Sequence, residues 1–248
     1  GRAAPRQRDR DPDPGAGRRV PGRRAYVDLL GLPPTAEQVK AIVESEEADD
    51  WEKLIDELLE SKQYGERWGR HWLDVARYAD SGGYETDIYY RFAWRYRDYV
   101  VKSFNDDKPY NIFVQEQLAG DELAGAKKGD WTAKQIELLT ATGFLRMAAD
   151  GTGSGINTAE SRNQVMIDTL KIVTSSLLGL SVACAQCHDH RYDPIPQTDY
   201  YALRAIFEPA IDWKKWRTPA QRRVSLYTIA DRKKAAAIEA SVKTVASE

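Results

Sequence analysis

The sequence is poor in the residues that bind metals or bridge chains: two cysteines, two methionines and three histidines in 248 residues. A disulfide-stapled fold scatters several cysteine pairs along its chain. A tetrahedral zinc site normally needs a second pair of thiol or imidazole ligands at similar spacing, so the composition argues against both. A surplus of one charge is missing too. The 36 basic and 38 acidic residues leave a formal charge of −2, which gives no field favouring nucleic acid or an anionic membrane. No apolar run approaches the roughly 18–20 residues of a membrane span, and neither internal repeats nor clear hairpin signals occur. What is present is aromatic, with seven Trp and thirteen Tyr, and long enough to bury a core as one large domain or two small ones.

The two cysteines stand together. Residues 181–194 read S-V-A-C-A-Q-C-H-D-H-R-Y-D-P and place Cys184, Cys187 and His188 in C-x-x-C-H spacing, the attachment signature of a c-type haem. Two thiols three positions apart can each add to one vinyl group of the porphyrin, and the adjoining imidazole then reaches the iron as proximal ligand. A thioredoxin-type C-x-x-C opens a helix in a βαβ context, which is not readable here. The expected cofactor is therefore one haem c per chain. His188 is expected to bind through Nε2, its other nitrogen held by a carbonyl or carboxylate. Covalent haem attachment takes place outside the cytoplasm. An export signal is thus expected to have been removed or to lie upstream, and the expected location is extracytoplasmic: periplasm, cell surface or secreted.

Other residues compete for places around that haem. Trp68, His71, Trp72, Val75 and Tyr78 recur at three- and four-residue intervals, which puts His71 on the buried face of a helix, between aromatic neighbours. The candidates for the second axial position are His71, Met147 or Met166, or the position stays open. Met147 follows a helix end beside a glycine-rich loop, and Met166 reads as core packing. Arg191, with Tyr192 beside it, is the expected propionate partner, since a guanidinium forms two charge-assisted bonds to a carboxylate. Arg67 and Arg70 are further candidates. His190 cannot cross the ring to join His188, because two residues of chain span only about 7 Å. It is assigned a propionate hydrogen bond or, alternatively, a second metal or a neighbouring chain's haem. Asp189 and Asp193 steady the arginine, close a calcium site, or serve as turn and cap residues. Asp80, Glu85 and Asp87 are a second calcium candidate, without the spacing of an EF-hand loop.

The fold class expected is mainly α, one irregular multi-helix domain around a covalently attached haem. Residues 1–24, rich in Arg, Pro, Asp and Gly, read as an extended or linker-like arm; 25–215 form the helical haem domain; 216–248 form a C-terminal helical extension or linker. Capping boxes at Thr35 with Gln38 and at Thr132 with Gln135 open helices. Asp50, Asn111, Thr158 and Thr198 are expected to cap others. The stretch 149–157, A-D-G-T-G-S-G-I-N, reads as a flexible surface loop.

The segments G-L-P-P-T, G-E-R-W-G-R-H-W-L-D-V-A-R-Y-A-D-S, P-Y-N-I-F-V-Q-E-Q-L-A-G-D and L-G-L-S-V-A-C-A-Q-C-H-D-H-R-Y-D-P-I-P-Q-T-D-Y-Y-A-L together resemble the planctomycete-type cytochrome-associated domain of unknown function, over about residues 25–209. The resemblance implies an exported protein, usually part of a larger chain, with the c-type haem motif at Cys184, Cys187 and His188. Residues 1–24 depart from that pattern, in which a regular helix leads into G-L-P-P-T.

The expected function is extracytoplasmic electron transfer through one low-spin haem, with His188 proximal and His71 distal. Two other classes stand beside it. One is a peroxidase-like haem enzyme with an open iron, in which His71 acts as acid and base and Arg67 or Arg77 polarises peroxide. The other is an assembly module whose haem is structural. Expected partners are a redox protein, a neighbouring haem domain, or further copies in an oligomer or polymer, and no nucleic acid.

Overall fold

Capping chemistry written into the sequence opens three of the helices. Thr35, Thr132 and Thr158 each accept a hydrogen bond from the backbone N–H three residues on, and the side chain there answers back to the cap N–H. Two orphan groups per helix start are thereby satisfied. The computed structural model describes residues 17, 19–45, 49–82, 87–126, 129–153 and 156–246. Among these are ten α-helices: α1 (Arg19–Leu30), α2 (Ala36–Glu44), α3 (Asp50–Leu59), α4 (Lys62–Ala76), α5 (Trp94–Asn105), α6 (Tyr110–Ala124), α7 (Ala133–Ala141), α8 (Ala159–Leu177), α9 (Gln197–Ile211) and α10 (Ile229–Ala246). The only strands among them, β1 (Ser81–Gly82) and β2 (Ile88–Tyr89), pair antiparallel with Ser81 opposite Tyr89. The protein is mainly α.

The chain forms two compact units, Gly1–His71 with Val101–Asp107 and Trp72–Val100 with Lys108–Glu248. In the first, Ala25 and Tyr26 of α1 and Leu58 of α3 make a small core, covered by Leu29, Leu30, Ile42, Leu54 and Ile55. Helix α1 begins at Arg19, so residues 19–24 are helical rather than part of an extended arm. Gly22 explains this: a Cβ there would stand 2.9 Å from Ile42, so its absence lets an arginine-rich segment pack on α2. Residues 1–16 and 18 lie outside the described residues. Gly31, at φ 71°, ends α1 in the left-handed region that glycine adopts without cost. Gly65 of α4 sits against α5, where its N–H donates to Asn105 Oδ1 at 2.8 Å and a Cβ would lie 2.5 Å from the Val101 carbonyl.

An aromatic and polar core organises the second unit. The Trp72 ring packs edge-on to Phe113 at 4.9 Å and tilted against Phe144 at 5.8 Å, and Tyr99 stacks on Phe113 at 5.9 Å. Two polar groups of this core meet at Gln117, which is fully buried: its Oε1 accepts from the Tyr96 hydroxyl at 2.6 Å and from Trp72 Nε1 at 3.1 Å. Burial raises the Tyr96 hydroxyl well above the usual phenol range, against a lowering contribution from the Trp72 bond. Beside it, the Glu116 carboxylate, 3% exposed, accepts from Lys108, Lys134 and the Tyr99 hydroxyl at 2.5, 2.6 and 2.9 Å. Burial pushes that carboxyl up, and the three donors outweigh it, so Glu116 titrates below the usual carboxylate range.

The loop expected to be flexible at 149–157 is instead anchored where it is described. Asp150 and Thr152 are buried, and Asp150 Oδ1 accepts from the Thr152 N–H and hydroxyl. Arg222 Nη1 donates to Asp150 Oδ2 at 2.6 Å, and Trp216 Nε1 donates to Thr152 Oγ1 at 2.9 Å. The first part of the expected extension, from Trp216 to Arg222, is thereby bonded to the second unit. Helix α10 has no buried residue.

Candidate functional site

Residues Val182–Gln186 form a 3-10 turn, in which positions three apart eclipse one another. Val182 and Ala185 therefore stack on one face, buried in a core with Met166, Leu170, Tyr200 and Ile211. Cys184 within the turn and Cys187 at its end are unbridged and exposed. The apolar pair holds the turn down, and both thiols face outward. Met166, at 1% exposed, is the packing residue beneath the turn rather than a ligand candidate.

His188 follows on the surface with its Nδ1 2.7 Å from the Asp189 carbonyl oxygen. A carbonyl can only accept, so in the neutral ring Nδ1 carries the proton and Nε2 the lone pair. Nε2 has no hydrogen-bond partner among the described residues. His190 is the opposite case. Its side chain is 6% exposed, its Nδ1 accepts from the Tyr192 and Asp193 N–H groups at 3.2 and 2.9 Å, and its Nε2 lies 3.0 Å from Ser181 Oγ. Both ring nitrogens are engaged inside the loop. The propionate, second-metal and neighbouring-haem roles expected of His190 are corrected to a loop-closing one.

The loop is tied to α9 at several points. Asp189 Oδ1 accepts the Gln197 N–H at 2.8 Å and so caps α9, which starts before the expected cap Thr198. The Gln197 side chain and the Tyr201 hydroxyl donate to the Gln186 carbonyl at 2.8 and 3.3 Å. Gln197 and Ser181 were not singled out by sequence reasoning; only the position of Gln197 behind Pro196 at a helix start pointed to it. Arg191 is exposed with its guanidinium 5.6 Å from the centre of the Tyr192 ring, and Tyr192 is 84% exposed. Both stand beside the turn.

His71 lies in the first unit, and the structure corrects its environment: it is exposed, not buried. The buried positions of α4 are Gly65, Gly69 and Ala76, with Trp72 half-buried. Close helix approach at Gly65 selects small residues for the inward stripe, so Trp68 and His71 face out and Tyr64 is half-buried. His71 meets the Trp68 ring at 5.4 Å, and Trp68 meets Tyr64 at 6.0 Å. Met147 is half-buried in the second unit. Arg77, at φ 61°, closes α4. Of the calcium candidates, Asp80 accepts the Tyr78 hydroxyl at 2.6 Å and Glu85 lies outside the described residues. Among the described residues no group of three or more His, Cys, Asp or Glu side chains is arranged to hold a metal ion.

The donor set of the turn fits a covalently attached haem: two solvent-facing, unbridged thiols and an adjoining imidazole with one nitrogen engaged and the other open. Fold and site thus define a mainly helical protein that presents a C-x-x-C-H turn on an apolar core. No helix among the described residues is long and apolar enough to cross a membrane. The chain belongs to the family described as PSCyt2, protein of unknown function (DUF1549), which matches residues 2–211. No curated protein and no solved structure shows a significant match to it.

Proposed function

We propose that this protein is an extracytoplasmic c-type cytochrome domain that transfers electrons through one haem held at Cys184, Cys187 and His188. The observation that carries the reading is the outward C-x-x-C-H turn, with both thiols exposed and His188 Nδ1 2.7 Å from the Asp189 carbonyl oxygen. Each thiol adds S–H across one vinyl double bond, a step that needs no oxidant. Bound there, a haem supplies a one-electron iron couple. The bond from Nδ1–H raises the basicity of Nε2 as a ligand and fixes the ring's tautomer. Arg191 and Tyr192 are assigned to the propionates. On the sequence pattern, His71, which is solvent-facing, would be the second iron ligand. Attachment of haem places the protein outside the cytoplasm, where a redox protein or another haem domain is its partner.

Reductive titration followed by visible absorption tests the reading. A single one-electron couple, low-spin in both states and unmoved by cyanide, is expected, and His71→Ala turns it high-spin. A high-spin, cyanide-binding iron in the unaltered protein overturns electron transfer in favour of an open-iron enzyme.

A further inference from the structure

We propose that His190 is a positioning residue for His188, acting through one peptide plane. The inference rests on the reading of His188 as the iron ligand. The peptide joining Asp189 to His190 has both of its polar groups in use: its N–H donates to the Ile195 carbonyl at 2.9 Å, and its C=O lies 2.7 Å from His188 Nδ1. In a trans peptide the C=O and N–H point in opposite directions in one rigid plane. Whatever holds the N–H on Ile195 therefore aims the C=O at His188.

The His190 imidazole holds it. Its Nδ1 receives the N–H groups of Tyr192 and Asp193, which brings the chain back on itself between the peptide and Ile195. The Asp193 carboxylate lies 3.4 Å from the same nitrogen, farther than either N–H donor; a nitrogen that accepts two N–H bonds carries no proton, so in the neutral ring Nε2 carries it and donates to Ser181 Oγ at the start of the cysteine turn. The ring thus ties the residue before the motif to the residues after it. At 6% side-chain exposure, with both nitrogens used, it is closed to ligands from solvent. The two histidines divide the tautomers between them: His190 holds its proton on Nε2 and accepts at Nδ1, and His188 holds its proton on Nδ1 and offers Nε2.

Asparagine reproduces the acceptor at the Nδ1 position, whereas glutamine reproduces only the group at Nε2. The test compares the unaltered full chain with H190N, H190Q and H190A. One readout, two-bond 15N–1H couplings at neutral pH, needs no haem. The expected result is the Nδ1–H tautomer at His188 and Nε2–H at His190 in the unaltered chain, the His188 tautomer kept in H190N, and an Nε2–H population appearing at His188 in H190Q and H190A. The other readout is the midpoint potential of the haem-bearing protein, expected to rise in H190Q and H190A as the imidazole becomes a weaker donor, and to be restored toward the native value in H190N. An Nε2–H tautomer at His188 in the unaltered chain overturns the proposal, as does a tautomer and potential indifferent to all three substitutions. A chain that carries no haem but shows the predicted couplings contradicts the cytochrome reading and leaves the loop geometry standing, so the two failures are distinct.

Discussion

The Asp189 carbonyl oxygen lies 2.7 Å from Nδ1 of His188, and the carboxylate of the same aspartate caps α9 through the Gln197 N–H at 2.8 Å. One residue thus joins the candidate iron ligand to a helix start. Asp189→Ala removes the cap and keeps the carbonyl. A stability loss of about 0.5–2 kcal/mol is expected, read by urea unfolding, with most of it recovered in Asp189→Asn.

Gln117 is the common acceptor for two buried donors, Trp72 Nε1 and the Tyr96 hydroxyl. In Gln117→Leu these two retain only their mutual bond, 3.0 Å long. An unsatisfied buried group costs about 1–3 kcal/mol, so a loss of that size is expected in chemical denaturation monitored by tryptophan fluorescence. An unchanged midpoint contradicts the network.

Glu116 gives the second unit an acid-sensitive element. Its folded carboxyl titrates below the ordinary range. The stabilisation is therefore fully present above the unfolded value of about 4.3 and is lost as pH falls through the lower folded value. Stability measured from pH 6 downward is expected to fall more steeply in the native protein than in Glu116→Gln. Lys108→Met leaves the carboxylate still paired with one ammonium and the Tyr99 hydroxyl, so a loss of about 1–3 kcal/mol is expected at neutral pH.

These networks mark what could be read from the chain and what could not. The capping boxes at Thr35 and Thr132 were legible because donor and acceptor lie three residues apart. The C-x-x-C-H spacing is local too, but the 3-10 turn that carries it was not legible, because it is seated by Val182 and Ala185 against Met166, Leu170, Tyr200 and Ile211. In α4 the period was right and the face was wrong: spacing shows that Trp68 and His71 share a side with each other, and only the packing of Gly65 against Val101 and Asn105 shows which side turns inward. Asp150 looked like part of a loop because its partner, Arg222, stands far along the chain. The cap of α9 was misplaced at Thr198 because the true acceptor, Asp189, reaches it through a folded loop.

Arg222 and Asp150 fasten a segment that begins after residue 211, where the family match ends. Asp150→Ala strands a guanidinium that is 15% exposed. The expected result is faster amide exchange over residues 213–223 and a stability loss of about 3–5 kcal/mol. Protection unchanged in that segment contradicts the anchoring.

The account depends most on covalent attachment at the cysteines of the turn, and intact mass under denaturing conditions tests that directly. Protein produced with export and haem-attachment machinery is expected to carry the mass of one haem, to resist alkylation at Cys184 and Cys187, and to lose the covalent increment in the Cys184→Ser, Cys187→Ser double variant. An unmodified mass with two alkylatable thiols, from the same source, would contradict it.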